Sequence, residues 1–140
     1  MDIPVSAREV IESGQLAHFV TLNGDGSPHV TIVWVGLDGD EIVIGKLSRD
    51  QKVANIRRDP RVSLSMEAPT GSQYGMKNYL VVEGTARVTE GGAPELLRDL
   101  AQRYVGPGTK FPPMDSPPRG FVIRVTPLRI RGMGPWGTTL

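Results

Sequence analysis

The tetrapeptide Asn23-Gly24-Asp25-Gly26 sits between two apolar runs, Leu16–Leu22 and His29–Gly36, and constrains the fold more than any other segment. Asn-Gly and Asp-Gly pairs supply the positive backbone torsions of a tight turn, so the flanking runs read as the arms of a β-hairpin. Asp38-Gly39 then turns the chain into Glu41–Lys46, which predicts a three-strand meander. Further strands are expected at Arg61–Met66, Tyr79–Val88 and Phe121–Arg131. Gly84 within the second of these marks a bulge or a barrel bend. Pro127 in the last favours an edge or a bulge, because proline brings no N–H to a ladder. Gly106 to Pro118 holds five of the twelve prolines and reads as a stiff surface loop.

Three helices complete the pattern. Ser6-Ala7-Arg8-Glu9 is a capping box with Val5 and Val10 at the staple positions, predicting a short helix to about Ser13, ended by Gly14. Ser48-Arg49-Asp50-Gln51 is a second box and opens a helix to about Arg58, before Asp59-Pro60. The third runs from Ala93 to Tyr104, with Leu96, Leu97, Leu100, Ala101 and Tyr104 on one face at helical spacing. Six strands and three short helices in 140 residues argue one domain, 1–140, mainly β: a small antiparallel barrel capped by helices.

Composition removes most chemistries. The chain has no cysteine, which excludes a disulfide scaffold, a thiolate zinc site, an iron–sulfur cluster and a Cys nucleophile. His18 and His29 are the two imidazoles, and pairing around the turn places them opposite Ile32 and Thr21, apart along the ribbon; no metal site is expected. No Gly-x-Ser-x-Gly elbow is present, so hydrolase chemistry has no footing. Gly24-Asp25-Gly26 lies in a hairpin rather than ahead of a helix, and the dinucleotide reading fails on context. A net charge of +1 and scattered aromatics (Trp34, Tyr74, Tyr79, Phe111, Phe121, Trp136) speak against a nucleic-acid module. The longest apolar run, Ile32 to Leu37, is too short to span a bilayer, and the first ten residues lack the layout of a signal peptide; a cytoplasmic protein is expected.

One local charge signal survives. Between Lys46 and Arg61 stand six basic residues against Asp50 and Asp59. Lys46, Arg49 and Lys52 surround a helix start, whose unpaired N–H groups and dipole attract anions. The spacing suits a phosphate site and equally an ordinary solvated helix face with Arg57, Arg58 and Arg61 at its far end.

The stretch LAHFVTLNGDGSPHVTIVWVGLDGDEIVIGKLSRDQKVANIRRDPRVSLSM resembles the flavin- and deazaflavin-binding split-barrel family related to pyridoxamine 5′-phosphate oxidase. The later NYLVVEGTARV and FVIRVTPLRIRGMGPW are similar to it too, so the likeness runs from about Leu16 to Trp136, and QKVANIRRDPRVS is among its most specific parts. The resemblance implies a six-stranded antiparallel split β-barrel of the FMN-binding type, acting as a homodimer with cofactors in grooves between the protomers. It implies that Val30–Val35 runs along the tricyclic ring, offering backbone groups of Thr31, Ile32 and Val33, and that Gly45 and Lys46 approach the ring and ribityl chain. Lys52 matches the phosphate lysine, Gln51 stands beside it, and Asn55, one turn on, is expected to face the same groove. Gln51 stands where the oxidase branch carries an arginine, and the pattern is closer to the branch that uses coenzyme F420. The implied function is an F420-dependent oxidoreductase transferring a hydride between the deazaflavin and a small conjugated or heteroaromatic substrate. FMN in the same groove, or a non-catalytic F420 carrier, are the alternatives. No catalytic side chain is assigned, and no nucleic-acid or membrane partner is expected. The Pro-rich loop and Gly71–Asn78 are expected to line the substrate pocket.

Overall fold

The turn at Asn23–Gly26 closes a hairpin of β1 (Ala17–Leu22) and β2 (Pro28–Val33), paired from Ala17 with Val33 to Leu22 with Pro28. That register puts His18 opposite Ile32 and His29 opposite Thr21, as the spacing predicts. The computed structural model describes residues 2–138. Within them, α1 (Val5–Ile11) precedes the hairpin, and β3 (Gly36–Asp38), β4 (Glu41–Lys46), α2 (Gln51–Arg58) and β5 (Arg61–Gln73) follow it. The chain continues through β6 (Met76–Glu90), α3 (Ala93–Tyr104), β7 (Phe121–Gly134) and β8 (Gly137–Thr138).

All the pairings are antiparallel, in the order β2-β1-β5-β6-β7-β4-β3, with β8 folded back on β7. β2 and β3 end the sheet, and among the described residues no ladder joins them. One core nevertheless takes Phe19 from β1, Ile42 and Ile44 from β4, Leu64 from β5, Val82 from β6 and Ile123 from β7. The sheet therefore wraps around a single interior and stays open along one line, which is a split barrel. Val10 and Ile11 of α1 and Val53 and Ile56 of α2 fill the same core. Burial of each such side chain stabilises the fold by roughly 1.5–3 kcal/mol. No helix among the described residues is long and apolar enough to cross a membrane.

Several elements differ from the sequence reading. Eight strands replace the expected six, because Gly36–Asp38 pairs briefly with β4 and Gly137–Thr138 returns on β7. The three-strand meander does not form: β4 pairs with β7, not with β2. The chain leaves β2 at Trp34-Val35, where the Val35 N–H donates to the Tyr104 hydroxyl at 3.1 Å instead of to a strand. Gly71–Asn78 forms the tip of the long β5–β6 hairpin, and Gly71 and Asn78 line a small cavity of about 190 Å³ with Trp136.

The caps shift as well. Pro4, not Ser6, occupies the N-cap of α1, and its carbonyl accepts from Arg8 N–H at 3.0 Å. Val5 is 72% exposed while Val10 is buried, so the staple is absent. Asp50 rather than Ser48 caps α2, its Oδ1 accepting from Val53 N–H at 3.1 Å. α3 spans the predicted residues. Gly84 stands at a register shift opposite Pro127, and a Cβ there would lie 2.1 Å from the Thr126 carbonyl oxygen; no other residue permits that approach.

Candidate functional site

A cleft of about 390 Å³ opens beside the free edge of β2. Ile32, Val33 and Trp34 line it from β2 and the residue after it, and Gly45 and Lys46 line it from β4. Leu47, Ser48 and Lys52 continue the wall into α2, while Leu97 of α3 and Phe111 of the Pro-rich loop complete it. The volume lies within the range of small-molecule sites, roughly 300–1,000 Å³. Gly45 lets α3 approach closely, since a Cβ there would stand 2.9 Å from Leu97 Cγ.

Two groups of side chains give the cleft its character. The first is aromatic: Trp34 stacks on Tyr104, with centroids 5.5 Å apart and planes 9° apart, and meets Phe111 at 5.2 Å. Tyr104 is held by its hydroxyl, which donates to the Gln15 carbonyl at 2.9 Å and accepts from Val35 N–H. Burial pushes its phenol above the ordinary tyrosine value, partly offset by the hydrogen bond at Val35.

The second group is charged. Lys52 is buried, and its Nζ lies 2.8 Å from Asp50 Oδ2. Lys46 Nζ reaches the same oxygen at 3.0 Å. Burial works against the Asp50 charge, but donation from Lys52, Lys46 and the Val53 N–H outweighs it and holds the carboxyl below its ordinary value. The cluster of two lysines and one aspartate thus carries one net positive charge at the cleft wall.

The sequence pattern of the pyridoxamine 5′-phosphate oxidase family matches residues 3–134. The chain belongs to that family. Its members share a flavin-type oxidoreductase fold, and the solved structures agree. An F420 reductase is 26% identical, with 91% of this chain and 98% of that one covered at a TM-score of 0.75. A conserved hypothetical protein from Mycobacterium tuberculosis is 27% identical, covering 95% of this chain and 85% of that one at a TM-score of 0.73. General Stress Protein 26 from Bacillus anthracis shares the fold at 18% identity, with 89% and 88% covered and a TM-score of 0.62. No curated protein matches the sequence.

Set against the family expectations, the structure gathers Ile32, Val33, Gly45, Lys46 and Lys52 around one cleft and leaves Thr31, Gln51 and Asn55 off its lining. Asn55 is fully buried and turned toward the first hairpin: its amide donates to Thr21 Oγ1 at 3.0 Å and to Asn23 Oδ1 at 3.1 Å. Gln51 is exposed and donates to Asn55 Oδ1 at 2.8 Å. Asn55 therefore ties α2 to the first hairpin, and Gln51 holds the Asn55 amide from within α2. Thr31 pairs across the ladder with buried Phe19, on the inner side of β2, and its Oγ1 is buried with no hydrogen-bond partner.

The basic run divides in the same way. Arg58 donates to the Leu22 carbonyl and Asn55, and Arg61 pairs with Asp59 at 2.7 Å. Arg49 and Arg57 lie over the Phe121 ring, at 5.9 and 5.4 Å from its centroid. Phe121 is the ladder partner of Lys46, so these two arginines flank the lysine cluster. Sequence reasoning missed Trp34 and Leu97. Trp34 lies inside the Val30–Val35 span expected along the ring but is assigned no part of its own there, while Leu97 reads as plain core on α3, 63 positions further along the chain. Phe111 was signalled only through its Pro-rich loop.

Proposed function

We propose that this protein is an F420-dependent oxidoreductase that binds the deazaflavin in the β2–β4 cleft and reduces a small conjugated or heteroaromatic substrate. The observation that carries the reading is the pair Lys46 and Lys52, converging within 3.0 Å on one carboxylate oxygen at the wall of an aromatic cleft. The likeness to an F420 reductase across 91% of the chain supports it. The residues present fit the group: a flat wall at Trp34 and cations for a phosphate. When bound, a deazaflavin supplies hydride transfer to a conjugated acceptor.

The chain's own part is binding, orientation and exclusion of water. The open edge of β2 presents unpaired backbone donors and acceptors, in the span that includes Thr31, Ile32 and Val33. Lys52, with Lys46 beside it, holds the phosphate. Arg49 and Arg57 around Phe121 suit an acidic tail next to that seat. Trp34 and Phe111 face the substrate and keep the cleft apolar. Asn55 acts on the site through α2, by holding it against Thr21 and Asn23, with Gln51 bonded to its amide oxygen.

The same reading includes a homodimer. Val30 and Ile32 point outward from β2, 56% and 61% exposed, and Leu128 is 63% exposed. Val20, Leu22 and Val62 join Leu128 in a second groove of about 490 Å³, whose apolar floor is rimmed by Arg61, Glu83 and Arg129 and suits burial against another protomer. Light scattering is expected to give twice the chain mass, and a Val30→Lys, Ile32→Lys double variant to give a monomer.

Spectral titration with F420 and with FMN tests the cofactor. Saturable F420 binding, followed by loss of reduced F420 on adding a conjugated acceptor, is the expected result. Binding of FMN alone would establish the flavin alternative, and F420 binding without turnover on any acceptor would establish a carrier.

A further inference from the structure

Among the described residues, Asp50 is the one acidic side chain within hydrogen-bond reach of both cleft lysines, and it is doubly committed. Its Oδ1 caps α2 through the Val53 N–H, while its Oδ2 takes Lys46 at 3.0 Å and Lys52 at 2.8 Å. Neither lysine is free to swing far: the Lys52 side chain is 6% exposed and Lys46 27%. Arg49, the nearest further cation in sequence, is turned onto Phe121 and adds no partner to the carboxylate. A phosphate arriving at these lysines must share them with Asp50.

We infer that Asp50 sets the charge class of the ligand, selecting a singly charged phosphodiester over a doubly charged phosphomonoester. The inference rests on the cofactor reading above and deepens it. At the seat itself two ammonium groups and one carboxylate leave a single positive charge, Arg49 and Arg57 being turned onto the Phe121 ring rather than onto the carboxylate. A phosphodiester neutralises it, whereas a phosphomonoester dianion leaves one uncompensated negative charge in a part-buried site, where such a charge is strongly disfavoured. The aspartate is thereby a specificity-determining residue, acting by what it subtracts from the lysines.

The test compares FMN with its methyl phosphodiester, which share ring and ribityl chain and differ only at the phosphate. At about pH 7.5 the monoester is a dianion, its second ionisation lying near pH 6. Wild-type protein is expected to bind the diester about tenfold more tightly than FMN, and Asp50→Asn to lower that ratio about tenfold by removing one negative charge. Asparagine is as good an N-cap as aspartate, so α2 keeps its start. Lys46→Gln reads the same balance in the other direction and is expected to raise the ratio. An equal ratio in wild type and Asp50→Asn would overturn the inference, as would failure of wild type to bind either ester at millimolar concentration. F420 binding is measured separately. A protein that ignores F420 yet shows the Asp50→Asn shift overturns the deazaflavin reading alone, and one that binds F420 with an unmoved ester ratio overturns this inference alone.

Discussion

Trp34 and Tyr104 stack with their planes 9° apart, joining the end of β2 to the end of α3 across 70 positions of sequence. The Tyr104 hydroxyl anchors the pair by serving Val35 N–H and the Gln15 carbonyl together. Tyr104→Phe keeps the stack and leaves both backbone groups without this partner. A loss of about 1–3 kcal/mol is expected in urea unfolding, together with a change in Trp34 fluorescence. An unchanged midpoint would show that water replaces the hydroxyl at both groups.

Lys52→Met retains the buried stem and removes the charge. Affinity for a phosphate-bearing tricyclic cofactor is expected to fall by roughly 1.5–3 kcal/mol, read by isothermal titration calorimetry. A variant that binds F420 and FMN as tightly as the parent would place the phosphate elsewhere.

Gly84→Ala is expected to destabilise by roughly 1–3 kcal/mol, because its Cβ would meet the Thr126 carbonyl 2.1 Å away and two long strands would have to part. The thermal midpoint of the variant checks this. Gly26→Ala, where nothing lies within 4 Å of the added carbon, separates strain in the backbone torsion from overpacking.

Acid is expected to destabilise the fold through two carboxylates. Burial opposes the Asp50 charge, but hydrogen bonds from Lys52, Lys46 and Val53 hold it below its ordinary value of 3.8. Hydrogen bonding to Arg61 draws the exposed Asp59 down to about 2. A folded-state value below the unfolded one stabilises above the unfolded value and is lost as pH falls through the folded one. The stability gap between wild type and Asp50→Asn is therefore expected to be full at neutral pH and to close below pH 3.8, measured by urea unfolding across that range.

Much of the fold is legible locally. The Asn23–Gly26 turn, the β1–β2 register, α3 and the bulge at Gly84 follow from backbone torsions and apolar periodicity, which neighbouring residues decide among themselves. Cap choice was less legible, since Ser48 and Asp50 are comparable caps, and the ion pairs with Lys46 and Lys52 favour the aspartate.

Residue pattern and turn chemistry are enough for a mainly β chain with turns where Gly and Asn permit them, and for a basic segment around the start of α2. Tertiary structure alone decided that β4 pairs with β7 and leaves the edge of β2 open, since strand partners come from distant segments and ladders look alike along the chain. It also decided which of the six basic residues serve the cleft. Charge spacing counts cations, but only packing shows that Arg58 is spent on Leu22, Arg61 on Asp59 and Asn55 on Thr21, while Lys46 and Lys52 meet at Asp50.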